Sequence, residues 1–322
     1  MVTEPKTEVP RMAPLLVSRF ARLKAFCDSD LVYDFLHSSA AVISASVLVI
    51  IALTAVAAPL LAPQNPYDLT QLFLDKAELP PIWTAGGEAP YLLGTDVQGR
   101  DVLSAILYGS RISLLIGFAS VIVSAMIGIL VGLASGYVGG RIDNLLMRVG
   151  DFVLSIPTLL VAILVSAIFR QLLPQDLRDA FSPIILTTSI AVTSWVQYAR
   201  LVRASAMVEA KKEYVLAARV LQVSAPRIML SHILPNVMTP VLVTATLNLG
   251  LAILAEATLS FLGVGMPVTQ PSLGTLIRIG NQYFFSGSWW IVVFPALQLS
   301  IIIFAVNVLG DWLRDALNPK LR

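Results

Sequence analysis

Charged residues, cysteine and histidine are scarce in this chain. Asp, Glu, Lys and Arg make up 13% of its 322 residues, against about 25% in soluble globular domains. The single cysteine, Cys27, cannot form a disulfide within the chain. One cysteine and two histidines are also too few for a metal cluster. The formal net charge of +2 provides no strong field to attract nucleic acid. With 57% hydrophobic residues, this composition indicates a protein that lies partly in lipid.

Six long segments carry no Asp, Glu, Lys or Arg, and each is a candidate membrane span. A helix needs about 20 apolar residues to cross hydrocarbon about 30 Å thick, and its backbone groups must all be paired in lipid. We therefore expect an all-α integral membrane protein with six transmembrane helices over residues 36–322, preceded by a polar cytoplasmic tail over residues 1–35. The six segments are residues 37–67, 112–140, 152–169, 180–199, 228–255 and 279–310.

The distribution of Lys and Arg predicts on which side of the membrane each loop lies. With the N-terminus in the cytoplasm, 16 basic residues fall inside and 6 fall outside, as the positive-inside rule requires. Trp289 and Trp290 then lie at the outer end of the last span and Trp312 at its inner end, the levels at which aromatic anchors concentrate. We expect a multi-pass protein with both termini in the cytoplasm.

One sizeable cytoplasmic loop, over residues 203–235, is polar and has a helical pattern. Residues 209–223 are nearly all good helix formers. Ser224 and Pro226 then form a start signal for a second short helix, and Pro235 predicts a break before the fifth span. The residues alone leave two interpretations open: a docking surface for another protein, or a solvated loop with incidental helicity.

This loop resembles the cytoplasmic signature of ABC importer permeases, which reads Glu-Ala-Ala, three residues, Gly, nine residues, Ile-x-Leu-Pro. The matching stretches are Leu216-Ala217-Ala218, Gln222 and His232-Ile233-Leu234-Pro235. Leu216 replaces the signature glutamate, and Gln222 replaces the signature glycine. If the glycine position needs a positive φ, a glutamine is strained there.

Four further segments resemble the dipeptide/oligopeptide/nickel family of these permeases, and most closely its second, C-type subunit. They are LLGTDVQGRDVLSAILYGSRISLLIG (92–117), GGRIDNLLMRVGDFVLSIPTLL (139–160), AEATLSFLGVG (255–265) and GDWLRDALNPKLR (310–322). The resemblance covers roughly residue 35 to the end of the chain. It implies the fold of an ABC type I importer permease with a cytoplasmic coupling-helix insert.

The resemblance also implies a transport subunit, not an enzyme, in the inner membrane of a bacterium. A paralogous permease would share the translocation pathway as a heterodimer, and an extracytoplasmic binding protein would deliver substrate. Two ABC ATPase subunits would bind ATP and Mg, so we expect no catalytic residue, cofactor or metal in this chain. It lacks the Gly-x-x-x-x-Gly-Lys-Ser/Thr loop that cradles nucleotide phosphates. The ATPase contact implied by the signature and its flanks comprises Ala217, Ala218, Arg219, Gln222, Ser224, Pro226, Leu234 and Pro235.

The expected substrates are small peptides or related compounds. Members of the family also import nickel chelates, glutathione or opines, which stay as alternatives, although the chain has no His-rich or Cys-rich outer tract to favour nickel. An ion-coupled carrier or channel is a remote alternative, because the spans show no clear repeat and few buried charges. A membrane enzyme is disfavoured, because no nucleophile–base pair is evident in the spans.

Glu256 is the one carboxylate deep in an apolar segment, so its side chain should face the bundle or the pathway. It would serve either the pathway or outer gate, or a structural hydrogen bond near the glycine-rich turn. In the second span, Gly128, Gly132, Gly136 and Gly140 recur every four residues on one helix face. Such small residues allow close helix packing, either within the subunit or at a sliding dimer contact.

Three local signals concern the ends of the spans. Thr95 or Asp96 is expected to cap a short helix in the first outer segment. Another short helix is expected from Leu273, after a proline-rich turn. At the inner end of the third span, Arg148 and Asp151 have the spacing of an ion pair within one helix.

Overall fold

The computed structural model describes residues 30–317. The regular secondary structure in that range is helical, and it contains no strand. Most of the tail expected over residues 1–35 lies outside the described residues. A π-helical segment, Met229–Ile233, lies between the helices Ala225–Ile228 and Leu234–Phe261. The α-helices are α1 (Asp30–His37), α2 (Ser39–Val56), α3 (Ala58–Leu61), α4 (Val102–Val138), α5 (Gly140–Ser155), α6 (Thr158–Leu172), α7 (Gln175–Glu209), α8 (Glu213–Val220), α9 (Ala225–Ile228), α10 (Leu234–Phe261), α11 (Leu273–Tyr283) and α12 (Trp290–Ala316).

Within the described residues, five helical stretches are long and apolar enough to cross a membrane, namely α2, α4, α7, the continuous stretch from α9 to α10, and α12. The pair α5 and α6, bent by 97°, would be a sixth span. The expected all-α membrane architecture is confirmed. The third span expected over residues 152–169 is broken at Pro157, which has no backbone N–H and follows Ile156 in an extended conformation (φ −103°, ψ 138°).

The two longest helices, α4 and α7, pack against each other along the glycine face of α4. A Cβ atom added to Gly132 would lie 2.6 Å from the Ala199 carbonyl oxygen, and one added to Gly136 would lie 2.7 Å from the Arg203 carbonyl oxygen. A Cβ atom added to Gly128 would lie 2.7 Å from the Trp195 carbonyl oxygen of α7. The two backbones are therefore in direct contact, which only glycine permits.

Gly140 does not share this packing. It begins α5 with a left-handed φ of 59°, and an added Cβ atom would meet nothing within 4 Å. The expected stripe of four packing glycines is thus wrong at its last member, because α4 ends at Val138 and the chain turns away from α7.

Ion pairs join α5 to α7 at the end of the bundle that carries the insert. Arg203 Nε lies 2.5 Å from Asp143 Oδ1, and Arg200 Nη2 lies 2.6 Å from Asp151 Oδ1. The expected pair within α5 is wrong, because Asp151 pairs across helices and Arg148 points to the exposed side of α5. Because α7 packs alongside α5, Arg200 reaches Asp151. The residue spacing within α5 alone cannot predict this pair.

The first outer segment, residues 62–101, is held to the start of α4 by buried polar groups. Asp101, not Thr95 or Asp96, caps the helix: its Oδ2 accepts hydrogen bonds from Ser104 N at 2.8 Å and from Ser104 Oγ at 2.5 Å. The expected short helix is instead the first part of α4, which is 37 residues long. Gly99 has a φ of 74°, which lies outside the helical region, so the chain turns there and the helix begins only at Val102.

Thr95 and Asp96 hold that turn together. Thr95 Oγ1 donates to the Lys76 carbonyl at 2.6 Å and accepts from Leu79 N at 2.8 Å. Asp96 Oδ1 accepts from the backbone N–H of Gln98 at 2.8 Å and of Arg100 at 3.0 Å. Burial raises the pKa of Asp96, and the nearby Arg100 guanidinium opposes that rise.

The outer helix expected from Leu273 is present as α11, which confirms that prediction. Ser272 caps it, since its Oγ accepts from Thr275 N at 3.4 Å. Leu273 and Leu276 lie in the same buried cluster as Ile253 of α10 and Trp290 of α12. The segment between the last two spans is therefore part of the buried core.

Candidate coupling surface

The loop between α7 and α10 folds as a helix, a sharp turn and a second short helix, as the sequence indicates. The expected break at Pro235 is wrong. The chain passes from α9 into α10 through the π-helical segment Met229–Ile233, and Pro235 occupies the first turn of α10. A proline is tolerated there because that position has no N–H partner within the helix, and the widened π turn precedes it.

The turn after α8 is a Schellman motif, and Gln222 occupies its left-handed position. Gln222 has a φ of 56°. Its N–H donates to the Arg219 carbonyl at 3.0 Å, and the Val223 N–H donates to the Ala218 carbonyl at 3.1 Å, which is the bonding pattern of that motif. The signature glycine position thus does require a positive φ, and a glutamine there costs on the order of 1 kcal/mol.

One side of the insert packs against the helix bundle. Val215 and Ile233 are completely buried, and Ala218 is 6% exposed. They belong to one hydrophobic cluster with Tyr198 and Val202 of α7. Ala218 has no side chain beyond Cβ, so α8 lies close to the spans, and the insert is attached to α7 and α10 as one packed body.

The side of the insert that faces away from the bundle exposes apolar side chains. Val220 is 82% exposed, Leu221 is 77% exposed and Leu216 is 47% exposed. Exposed apolar patches of this kind mark protein contacts. We call the outward residues Leu216, Ala217, Arg219, Val220, Leu221, Pro226 and Arg227 the coupling surface.

Sequence reasoning missed Val220 and Leu221. The available signal was the four-residue spacing of Leu216 and Val220, which places both on one face of α8.

The structure separates the signature residues into two groups. Ala217, Arg219, Gln222, Ser224, Pro226 and Pro235 are exposed, whereas Ala218 is buried and Leu234 is half-buried against the bundle. Ser224 occupies the N-cap position of α9 in an extended conformation, but its side chain forms no capping hydrogen bond. Its carbonyl instead accepts the Ile228 N–H at 3.0 Å.

Polar contacts brace α8 against the spans. The Tyr214 hydroxyl donates to Glu209 Oε2 at 2.5 Å and accepts from Asn236 Nδ2 at 3.0 Å, so one side chain contacts the ends of both α7 and α10. Partial burial and the hydrogen bond to Glu209 raise the pKa of Tyr214 to about 12, so its hydroxyl stays a donor at neutral pH. The Arg219 guanidinium lies 4.7 Å from the centre of the Tyr137 ring, at the end of α4.

Glu256 lies far from this surface, where α4, α10 and α11 meet. Its carboxylate is completely buried and accepts 2.7 Å hydrogen bonds from Ser113 Oγ and Ser260 Oγ. Ser113 Oγ in turn accepts from Leu273 N at 3.3 Å, and Ser260 Oγ accepts from Met266 N at 3.1 Å. This geometry supports the structural interpretation of Glu256; a role in the pathway or gate stays a prediction.

Comparisons with known proteins agree with the architecture. Residues 128–322 match the family described as binding-protein-dependent transport system inner membrane component. Residues 29–81 match the N-terminal TM domain of oligopeptide transport permease C.

Similar proteins cover nearly the whole chain. The di/tripeptide transport system permease protein DppC of Pseudomonas aeruginosa (strain UCBPP-PA14) is 39% identical over 291 residues, which are 90% of this chain and 91% of that protein. The dipeptide transport system permease protein DppC of Haemophilus influenzae (strain ATCC 51907 / DSM 11121 / KW20 / Rd) is 40% identical over 90% of this chain and 94% of its own length. Its namesake in Escherichia coli (strain K12) is 40% identical over 89% of this chain and 91% of its own length. The chain therefore belongs to the family of inner membrane components of binding-protein-dependent transport systems, as an ABC importer permease of the C type.

Proposed function

We propose that this chain is one of two permease subunits of an ATP-driven importer of small peptides. A paralogous permease completes the pathway, and an extracytoplasmic binding protein delivers the substrate. Two ABC ATPase subunits bind from the cytoplasm, where both termini and the insert lie. The observation that carries the proposal is the exposed apolar surface of Val220 and Leu221 at the position of the permease signature, because such a surface needs a protein partner.

The insert transmits force from the ATPases to the spans. When the ATPases close on ATP and Mg, they press on the coupling surface. Val215, Ala218 and Ile228 lie in one cluster with Tyr198 of α7 and Val237 of α10. Packed interiors are hardly compressible, so a displacement of the insert moves both spans. ATP hydrolysis belongs to the partner subunits, and this chain contributes no catalytic residue.

Small peptides are the proposed cargo because the similar proteins are named for dipeptide and di/tripeptide transport and match this chain over about nine-tenths of its length. Nickel chelates, glutathione and opines are the alternatives within the same family. An importer of nickel chelates would need a binding protein that recognises the chelate, and that protein is a separate chain.

The test is import of a radiolabelled dipeptide by cells that lack other dipeptide importers and express the complete transporter. We expect uptake that requires this chain and disappears when the partner ATPases carry an inactivating substitution. The purified chain alone should hydrolyse no ATP. Uptake of nickel chelates without dipeptide uptake would contradict the peptide assignment, and hydrolysis by the chain alone would contradict the division of roles.

A further inference from the structure

A cavity of about 210 Å³, lined by both apolar and polar side chains, lies between α4, α6, α7 and α10. Ser124 lines it near the middle of α4, Tyr198 lines it from the inner half of α7, and Asn248 lines it at the middle of α10. The cavity therefore lies within the membrane-spanning part of the bundle, and none of its lining residues belongs to the coupling surface.

Half of the 14 residues that line this cavity are polar, and none of these described residues carries a charge. The polar side chains are Ser124, Thr158, Thr193, Ser194, Gln197, Tyr198 and Asn248. Polar groups at this depth are costly unless they are bonded, and those that occur in membrane spans usually mark a substrate route. Ser124 and Thr193 bond to carbonyls of their own helices, at 2.6 Å and 2.8 Å, so it is the remaining polar side chains that need a reason other than packing.

Two of these groups lack a satisfactory partner. The Tyr198 hydroxyl and the Asn248 amide nitrogen are buried, and neither forms a hydrogen bond of normal geometry within the described part of the chain. The two side chains lie close enough to interact with each other, in a geometry too poor for a normal hydrogen bond. Tyr198 itself is completely buried, and a buried donor without an acceptor costs about 1–3 kcal/mol.

The cavity is incomplete in this chain. Closed sites for small ligands usually enclose about 300–1,000 Å³, which is more than the 210 Å³ present here. Thr158 and Gln197, which line it, are also exposed at the surface of the bundle. A glutamine exposed at membrane depth is unfavourable against lipid, so this side of the cavity faces another protein or the pathway.

We propose that this cavity is this chain's half of a peptide-binding surface in the translocation pathway, an inference that rests on the proposed function. The Tyr198 hydroxyl, the Asn248 amide and the Gln197 amide hydrogen-bond to the backbone amide and carbonyl groups of the passing peptide. Every peptide has those groups, and an uncharged lining neither attracts nor repels a particular charged side chain. The lining contains no carboxylate, imidazole or thiol, so its donor set does not suit a metal ion.

The cavity is also connected to the insert. Tyr198 belongs to the same hydrophobic cluster as Val215 and Ala218 of α8, and its Cβ packs against Gly128 of α4. A movement of the insert that displaces α7 therefore displaces Tyr198 as well. The peptide contact is expected to form and break with each cycle of the ATPases.

The first test compares variants of the complete transporter in proteoliposomes. Tyr198→Phe and Asn248→Leu remove the two unpartnered polar groups without a large change in volume. Thr188→Val and Thr244→Val are matched controls on the same two helices, because those hydroxyls bond to the carbonyls of Ile184 and Pro240 within their own helix, each at 2.9 Å. We expect the cavity variants to lower maximal dipeptide import by about fivefold or more, with ATPase activity retained, and the controls to stay within about twofold.

The second test does not depend on how the variants transport. In a Cys27→Ser background, Ser194→Cys places a thiol in the cavity, and Asn144→Cys places one on the exposed side of α5. We expect saturating dipeptide to slow the reaction of Ser194→Cys with a methanethiosulfonate reagent and to leave Asn144→Cys unchanged.

The outcomes separate the two proposals. If the unmodified transporter imports no dipeptide, the proposed function fails and this inference fails with it. If it imports dipeptide while Tyr198→Phe and Asn248→Leu match their controls and dipeptide leaves the labelling of Ser194→Cys unchanged, the cavity is not part of the peptide route and only this inference is overturned.

Discussion

Arg203 binds the carboxylate of Asp143 through two parallel hydrogen bonds, with Nε 2.5 Å from Oδ1 and Nη2 2.6 Å from Oδ2. Ser135, near the end of α4, donates to the same carboxylate. Three helices thus meet at one charged group, directly below the packed glycine face of α4 and α7. A bidentate pair of this kind is stronger and more directional than a single ion contact.

Asp143→Asn should lower the stability of the purified chain by about 1 kcal/mol, because the pair is partly exposed and screened. Asp151→Asn is the matched control, since its pair with Arg200 is more exposed, at 62% and 50% of the two side chains. Thermal unfolding in detergent checks both variants. Equal effects of the two substitutions would mean that the bidentate geometry makes no special contribution.

Gln222→Gly should stabilise the turn after α8 by about 1 kcal/mol, because glycine adopts a φ of 56° without strain. Ser224→Gly is the control, since Ser224 has a φ of −60° and offers no such gain. The melting temperature of the purified chain is the measurement. A lower melting temperature for Gln222→Gly would argue against a left-handed residue at this turn.

Val220→Ser combined with Leu221→Ser should weaken ATPase binding by roughly tenfold or more, because two large apolar side chains lose their burial at the contact. Val208→Ser is the control: Val208 is 64% exposed at the end of α7 but lies outside the coupling surface. Copurification and titration of the ATPase subunits measure the effect. An unchanged affinity would remove the coupling surface from the ATPase contact.

Glu256→Leu should destabilise the chain by about 3 kcal/mol, because the buried hydroxyls of Ser113 and Ser260 lose their acceptor. Glu256→Gln keeps an acceptor and should retain most of the stability and most of the import. Stability and dipeptide import are measured together. If Glu256→Gln unfolds normally but abolishes import, Glu256 acts in the pathway or gate, not only as a hydrogen-bond acceptor between helices.

Some features of this fold can be read from the sequence because single local causes determine them. Charge-free length predicts the spans, Ser224 and Pro226 predict α9, and the proline-rich turn before Leu273 predicts α11. The strain at Gln222 follows from the position that it shares with the signature glycine. In each case, residues within one short stretch of the chain determine the local structure.

Other features depend on contacts between distant segments. Asp151 pairs with Arg200 and not with its neighbour Arg148, because α7 lies alongside α5. The cavity between α4, α6, α7 and α10 also cannot be predicted from the sequence, since Tyr198 and Asn248 lie on different helices and neither belongs to a motif. The spacing of Leu216 and Val220 places both on one face of α8, but only the packing of the opposite face against the bundle shows that theirs is the exposed one.

We propose that the ATPase subunits bind the insert from inside the cell. A photo-crosslinking amino acid at position 220, in place of Val220, tests this directly in membranes that contain the assembled transporter. We expect a covalent adduct with an ATPase subunit whose yield changes when ATP is added. Adducts with the extracytoplasmic binding protein or with lipid, and none with an ATPase, would contradict the claim.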